Sequence, residues 1–253
     1  MRVVAYGGGT NSTAMLVWMY ENNQRPDLIL FADTGGEKPY TYDHIKVVNA
    51  WLESIGFPQI VITWKRGRIY VGETLEENCL RKNMLPSVAY GFKSCSLKYK
   101  VQPQDMYCNN NADCKALWAA GWKVNKYIGF DADEVRRAKF HTDEKYEFIY
   151  PLISAGWGRE ECVQAIARAG LPQPGKSACF FCPSSKKKEI LDLRDQYPDL
   201  MKRALAMEAQ ANLTSVKGLG RSFSWQEFLN KQDAPDLFSD AGKEMDCGCY
   251  DGD

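Results

Sequence analysis

At 253 residues with 45% hydrophobic content, the chain carries enough apolar material for a sizeable core, which excludes disorder as its default state. Its 32 basic residues balance 32 acidic ones, so no overall charge draws it to nucleic acid or a membrane, and a nucleic-acid partner would need a local patch. No run is long and apolar enough to span a bilayer, and the chain opens directly into strand-like Val3-Val4-Ala5 rather than a basic and apolar signal, so a cytoplasmic protein without a membrane partner is expected.

Arg2 to Tyr6 reads as a short buried strand, followed by a glycine-rich turn and a helix from Ser12 to Asn22. Leu28 to Ala32 is a second apolar strand, His44 to Ile55 a second amphipathic helix, and Ile60 to Trp64 a third strand. The stretch from Arg66 to Asp113 is less regular. Lys126 to Phe130 and Phe148 to Leu152 read as further extended runs, and Glu160 to Ala169 as a helix. Pro172 to Pro183 is a Pro/Gly/Cys-rich loop, Lys186 to Ala211 is largely helical in pattern, and periodicity is weak from Gly218 onward. Strands alternating with helices predict an α/β fold, a parallel sheet with helices on both faces, whose ligands sit beyond the carboxyl ends of the strands. The expected organisation is a nucleotide-binding α/β domain over 1–152 and a mainly helical, Cys-rich region over 153–253 packed upon it.

Gly7-Gly8-Gly9-Thr10-Asn11-Ser12-Thr13 lies between the first strand and the first helix. Glycines allow backbone N–H groups to approach an anion, the helix start adds free donors, and Ser12 and Thr13 add hydroxyls. The run is neither a Walker loop nor a dinucleotide fingerprint. It is similar to the pyrophosphate loop of the adenine nucleotide alpha-hydrolase superfamily, usually Ser-Gly-Gly-x-Asp-Ser, with Gly7 in place of the first serine and Asn11 in place of the aspartate. Asn11 brings no charge to a magnesium ion, the metal that would accompany a nucleotide. The second strand runs into Asp33-Thr34-Gly35 and on through Glu37-Lys38-Pro39-Tyr40-Thr41-Tyr42, which resembles the Asp-Thr-Gly and Pro-Glu-Thr-Tyr segments of the phosphoadenosine phosphosulfate reductase family.

Nine cysteines, an odd number, fit metal binding or redox chemistry better than a disulfide framework. Cys79, Cys108, Cys114 and Cys162 share no motif spacing and read as ordinary thiols. Cys179-Phe180-Phe181-Cys182-Pro183 is a C-x-x-C in a loop, half of a metal site or a reactive dithiol. Cys95, in Ser94-Cys95-Ser96-Leu97-Lys98-Tyr99-Lys100, resembles the reductase-family segment whose cysteines join a distant C-x-x-C around a [4Fe-4S] cluster. The resemblance implies Cys95, Cys179 and Cys182 as ligands; with Ser96 where a second cysteine would stand, the fourth must come from elsewhere, Cys249 first and Cys247 next, and four thiolates would suit zinc equally well as the alternative occupant.

The stretch from Gly129 to Arg137, with Tyr150-Pro151-Leu152 and Trp157, is similar to family segments that place basic residues on the nucleotide. Arg136 and Arg137 would offer forked donors to phosphate or sulfonate oxygens, and Lys98 and Lys100 point charges. Asp246-Cys247-Gly248 resembles the ending that carries the sulfonucleotide reductase nucleophile, which implies Cys247 as the attacking thiolate and a thioredoxin-like partner to discharge it. Sulfonucleotide reduction is therefore the expected reaction. The alternative is ATP-dependent, pyrophosphate-releasing insertion of sulfur into a nucleic-acid or other acceptor. A zinc-stabilised nucleotide-binding module without activity is a third reading.

Overall fold

Successive residues of a strand face opposite sides of a sheet, and in the first two strands both sides are apolar. The computed structural model describes residues 1–65, 73–138 and 143–233. In it Val4 and Tyr6, with Ile29 and Phe31, face one buried layer, while Val3, Leu28 and Leu30 face another. Such strands are stable only with helices on both faces. The strands are β1 (Arg2–Tyr6), β2 (Leu28–Asp33), β3 (Ile60–Trp64), β4 (Val124–Ile128) and β5 (Tyr146–Ile149), all parallel, in the order β3-β2-β1-β4-β5. The expected α/β architecture is present.

The helices are α1 (Thr10–Glu21), α2 (Pro39–Ser54), α3 (Leu75–Arg81), α4 (Ser94–Ser96), α5 (Gln102–Asn110), α6 (Ala112–Ala119), α7 (Pro151–Ser154), α8 (Arg159–Arg168), α9 (Lys187–Gln196), α10 (Pro198–Gln210) and α11 (Trp225–Asp233). One face of the sheet is covered by α1, α2 and α8, through Met15, Val48, Leu52, Ala165 and Ile166. The opposite face takes Cys108 of α5 and Cys114 of α6 against Val124 and Tyr146. A separate apolar cluster joins α3, α9, α10 and α11 around Phe180 and Phe181. None of the described helices is long and apolar enough to cross a membrane.

Several elements differ from the sequence reading, each for a local reason. The extended run expected over Phe148 to Leu152 is cut short because Pro151 opens α7, where its missing N–H costs nothing. The single helical stretch expected over Lys186 to Ala211 is two helices, since Pro198 forces Tyr197 out of the helical region. Weak periodicity after Gly218 hid α11, whose Trp225 and Leu229 are four residues apart and buried. Its start is fixed by Ser224, whose hydroxyl accepts from Glu227 N at 3.2 Å, and by Glu208 of α10. The buried Glu208 carboxylate accepts from Leu219 N (2.6 Å), Trp225 N (3.0 Å), Gln226 N (3.1 Å) and the Ser224 hydroxyl (2.5 Å).

Candidate functional site

In the order β3-β2-β1-β4-β5, the chain leaves β1 toward β2 on one side, while β4 and β5 are added on the other. The loops after β1 and β4 therefore diverge and leave a crevice at the carboxyl ends of the strands, where parallel sheets bind ligands. A cavity of about 570 Å³ lies there, with Ala5, Ile128 and Phe130 as apolar lining and Gly7, Gly9, Asn11 and Ser12 on the α1 side. Gly9 caps α1: its N–H donates to Ser12 Oγ at 3.2 Å, and Ser12 Oγ donates to Gly9 O at 3.0 Å. First-turn N–H groups have no intrahelical acceptor, so this end of α1 suits an anion.

Two glycines make the close approach possible. Gly8 has φ +75°, and a Cβ there would lie 3.0 Å from Thr41 Cγ2 and 3.3 Å from Phe31 Cε2, so it shapes the turn from beneath rather than lining the cavity. Gly129, directly after β4, touches the start of α1 so closely that a Cβ would fall 2.8 Å from Asn11 O and 2.9 Å from Ser12 Cα.

Four cationic side chains converge on the cavity: Lys100, Arg137, Arg159 and Lys176. Arg137 pairs with Glu134 and lies 4.4 Å from the centre of the Phe130 ring, which stacks on Tyr150. Arg159, at the start of α8, donates to Asn11 Oδ1 at 3.2 Å and makes no ion pair among the described residues. Lys176 pairs with Glu189 at 2.8 Å. Lys100 reaches inward from a π-helical turn, Leu97–Val101, to the buried Glu37 at 2.9 Å. Burial works against the Lys100 charge, but the Glu37 carboxylate outweighs it and holds the ammonium above the usual lysine value. Glu37 also accepts from Ser177 Oγ at 3.3 Å, and Ser177 reaches Gly7 O, so the loop before the C-x-x-C is tied to the loop after β1.

The expected nucleotide contacts divide accordingly. Gly7, Gly9, Asn11, Ser12 and Arg137 line the cavity. Thr13 does not: its hydroxyl is buried against Tyr6 OH (3.1 Å) and His44 Nε2 (3.2 Å), because the first helical turn rotates it into the core. Lys98 and Arg136 are exposed outside it, Lys98 because the π-turn sends Tyr99 inward and carries Lys100, not Lys98, to Glu37. Asp33, Thr34 and Gly35 form a tight turn instead. Asp33 Oδ1 accepts from Gly35 N at 2.8 Å and from Tyr42 OH at 2.9 Å, and Thr34 Oγ1 lies 3.1 Å from Cys179 Sγ. Their place in the fold is to anchor the cysteine loop: Phe180 N donates to Gly36 O at 2.8 Å, and Glu37 bridges to Cys179. Arg159, Lys176 and Ser177 were not anticipated, for they follow no motif; only the Gly158-Arg159 helix start and the position of Lys176-Ser177 just before Cys179 hint at them.

Asn11 itself donates to Asp131 Oδ2 (2.8 Å) and Glu134 Oε2 (3.0 Å), so two carboxylates flank its side chain.

The cysteines are less gathered than expected. Cys179 and Cys182 share one turn, with Cys182 N donating to Cys179 O at 3.0 Å, and Phe180 and Phe181 between them are buried anchors, edge to face at 4.7 Å. Burial, and next the Glu37 carboxylate, push the Cys179 thiol up to about 12. Cys95 is packed against the same apolar cluster, where it neighbours Cys79. No three His, Cys, Asp or Glu side chains among the described residues come together to hold a metal ion, so Cys95, Cys179 and Cys182 do not by themselves fit an iron–sulfur or zinc centre. Cys247 and Cys249 lie outside the described residues.

No family model and no curated protein matches the chain. Among solved structures it is similar to the U34-tRNA thiolase NcsA from Methanococcus maripaludis with its [4Fe-4S] cluster, at 15% identity and a TM-score of 0.45, over 91% of this chain and 80% of that one.

Proposed function

We propose that the chain is an adenine-nucleotide-dependent enzyme of sulfur chemistry that holds nucleotide phosphates against the start of α1 and uses ATP to activate an acceptor, with release of pyrophosphate. The observation that carries this reading is the convergence of Lys100, Arg137, Arg159 and Lys176 with the α1 amino terminus on one cavity at the sheet's switch point. Four cations and free backbone donors match a polyphosphate, and Ala5, Ile128 and Phe130 offer apolar contact to a base.

ATP activation is preferred to sulfonucleotide reduction because of Glu134. Asn11 lacks the charge of the related loop's aspartate, but it holds the Glu134 carboxylate at the cavity wall. Magnesium takes only one or two protein carboxylates and keeps several waters, so an ion arriving with ATP would need little more. The Cys179–Cys182 pair, next to Lys100 through Glu37, is the sulfur-handling group in this reading, and the acceptor is a nucleic acid or another nucleophile.

Calorimetric titration of the full chain with ATP–magnesium and with phosphoadenosine phosphosulfate tests it. ATP should bind, and Arg159→Ala should weaken it about tenfold, equivalent to about 1.4 kcal/mol. Arg136→Ala should leave it within about twofold, as expected of an exposed arginine. Binding of phosphoadenosine phosphosulfate without ATP would turn the assignment to reduction, and no binding of either at millimolar concentration would end the nucleotide reading.

A further inference from the structure

Cys79, Cys108, Cys114 and Cys162 share no motif spacing, and all four are buried. Two of them are brought together. Cys108 of α5 and Cys114 of α6 lie within hydrogen-bonding reach of each other and pack on Val124 and Tyr146, the first residues of β4 and β5. Cys114 Sγ also lies 3.5 Å from Met1 Sδ, and Met1 is tied to the same end of the sheet because its carbonyl accepts from Asn125 N at 3.0 Å. Three sulfur atoms therefore stand at the amino ends of the strands, the end of the sheet opposite to the crevice of the candidate nucleotide site.

Apolar packing accounts for the buried thiols but not for Tyr146. Its side chain is only 7% exposed, its hydroxyl has no partner at hydrogen-bonding geometry, and the sulfur it faces is that of Cys108. An unsatisfied buried hydroxyl costs stability, and a neutral thiol is too weak an acceptor to relieve it. A thiolate is a strong one. Burial holds both thiols above the ordinary cysteine value, Cys114 at about 12, so both keep their protons at neutral pH. Against burial, the Tyr146 hydroxyl and then the Lys126 ammonium favour a thiolate at Cys108. Lys126 is itself buried, pairs with Asp105 at 2.6 Å and lies 4.9 Å from the centre of the Tyr146 ring. The surroundings are set for a negative sulfur, and a metal ion that displaces the thiol proton would supply it.

No three His, Cys, Asp or Glu side chains gather among the described residues, so the four-donor set of a zinc site is not there. Two thiolates and a thioether in an apolar shell instead suit a soft monovalent cation. We propose that Cys108, Cys114 and Met1 form a copper(I) site, with the two cysteines bound as thiolates, Met1 as a thioether and Tyr146 donating its hydroxyl to the Cys108 sulfur. Binding breaks two S–H bonds and forms two Cu–S bonds; both protons pass to solvent and nothing is oxidised. Met1 is only partly buried, so movement of its side chain opens the path to the two enclosed thiols.

Titration of copper(I) under nitrogen, against a chromogenic copper(I) chelator, into the full chain and into Cys108→Ala, Cys114→Ala and Tyr146→Phe tests it. Other cysteines also take copper, so the result is read as a difference: each alanine variant should bind one equivalent fewer than the wild type. Tyr146→Phe should keep the stoichiometry but weaken that same equivalent about tenfold, because a metal site loses affinity with the outer donor that holds its ligand. Its Tm without metal should rise, since an unsatisfied hydroxyl has been removed. A packing role alone would leave copper affinity where it was. Should the alanine variants fail to fold, Tyr146→Phe decides by itself. Equal stoichiometry in the wild type and both alanine variants, or a copper affinity unmoved by Tyr146→Phe, would overturn the site.

Discussion

The two sides of the candidate site are built on different principles. On the β1–α1 side the functional atoms are backbone N–H groups and short polar side chains, fixed by a strand, a helix start and the Gly129 contact. On the cysteine side the groups are side chains carried by a loop, and that loop depends on distant elements: Gly36 and Glu37 after β2, Phe180 and Phe181 in the second apolar cluster, and Glu208 behind them. Geometry set by local backbone is available before any ligand arrives. Geometry set by a second core can be lost while the sheet persists.

The largest effect expected from breaking this contrast is at Glu208. Glu208→Ala leaves the N–H groups of Leu219, Trp225 and Gln226 without their acceptor, and should cost about 3–5 kcal/mol in urea unfolding. Loss should fall first on α10 and α11, with hydrogen exchange accelerated there and retained in β1 and β4. Uniform loss of protection across both regions would mean that the two cores unfold as one.

Gly129→Ala probes the other side. A methyl group under 3.0 Å from Asn11 O and Ser12 Cα must push α1 away from β4, at a cost of about 1–3 kcal/mol. Nucleotide binding should disappear in the same variant, while thiol accessibility at Cys182 stays as in the wild type. Retained ATP affinity would show that the start of α1 is not where phosphates bind.

How much of this was legible in the sequence follows the same division. β1, β2 and β3 were visible as apolar runs because local burial on both faces forces a recognisable composition, and the glycine turn was readable because it joins a strand to a helix directly. The choice between Lys100 and Lys98 was not readable, since the π-turn Leu97–Val101 decides which lysine points inward. Arg159 and Lys176 reach the cavity from elements far apart in the chain, and convergence of that kind leaves no spacing to find. Ser224-Trp225-Gln226-Glu227 has the spacing of a helix cap, and Ser224 Oγ does accept from Glu227 N, but the short periodic face of α11 concealed the helix.

The smallest expected effect links the phosphate side to pH. His44 is buried with its ring nitrogen against Thr13, and burial holds its pKa below the ordinary value of 6.5. The unfolded chain therefore takes up this proton at a higher pH than the folded one, so this part of stability is present above 6.5 and is lost as pH falls below it. Tm measured from pH 8 downward should decline by the equivalent of at most about 1.4 kcal/mol per pH unit from this group. His44→Asn should flatten that decline, and an unchanged slope would assign it to carboxylates instead.

The strand order also sets a timetable. β1 precedes the other strands and meets β2, which ends at Asp33, while β3 adds to the far side of β2 by Trp64; its other neighbour, β4, ends only at Ile128. During synthesis at about 5–20 residues per second, the β4-facing edge of β1 waits roughly 6–24 s for its partner. Through that interval the emerging chain displays an open strand edge flanked by Val3 and Val4, the kind of surface that chaperones cover and neighbouring nascent chains can pair with. Arrival of β4 closes the edge and brings Gly129 against α1 in the same event, so the anion-binding crevice and the protected sheet come into being together.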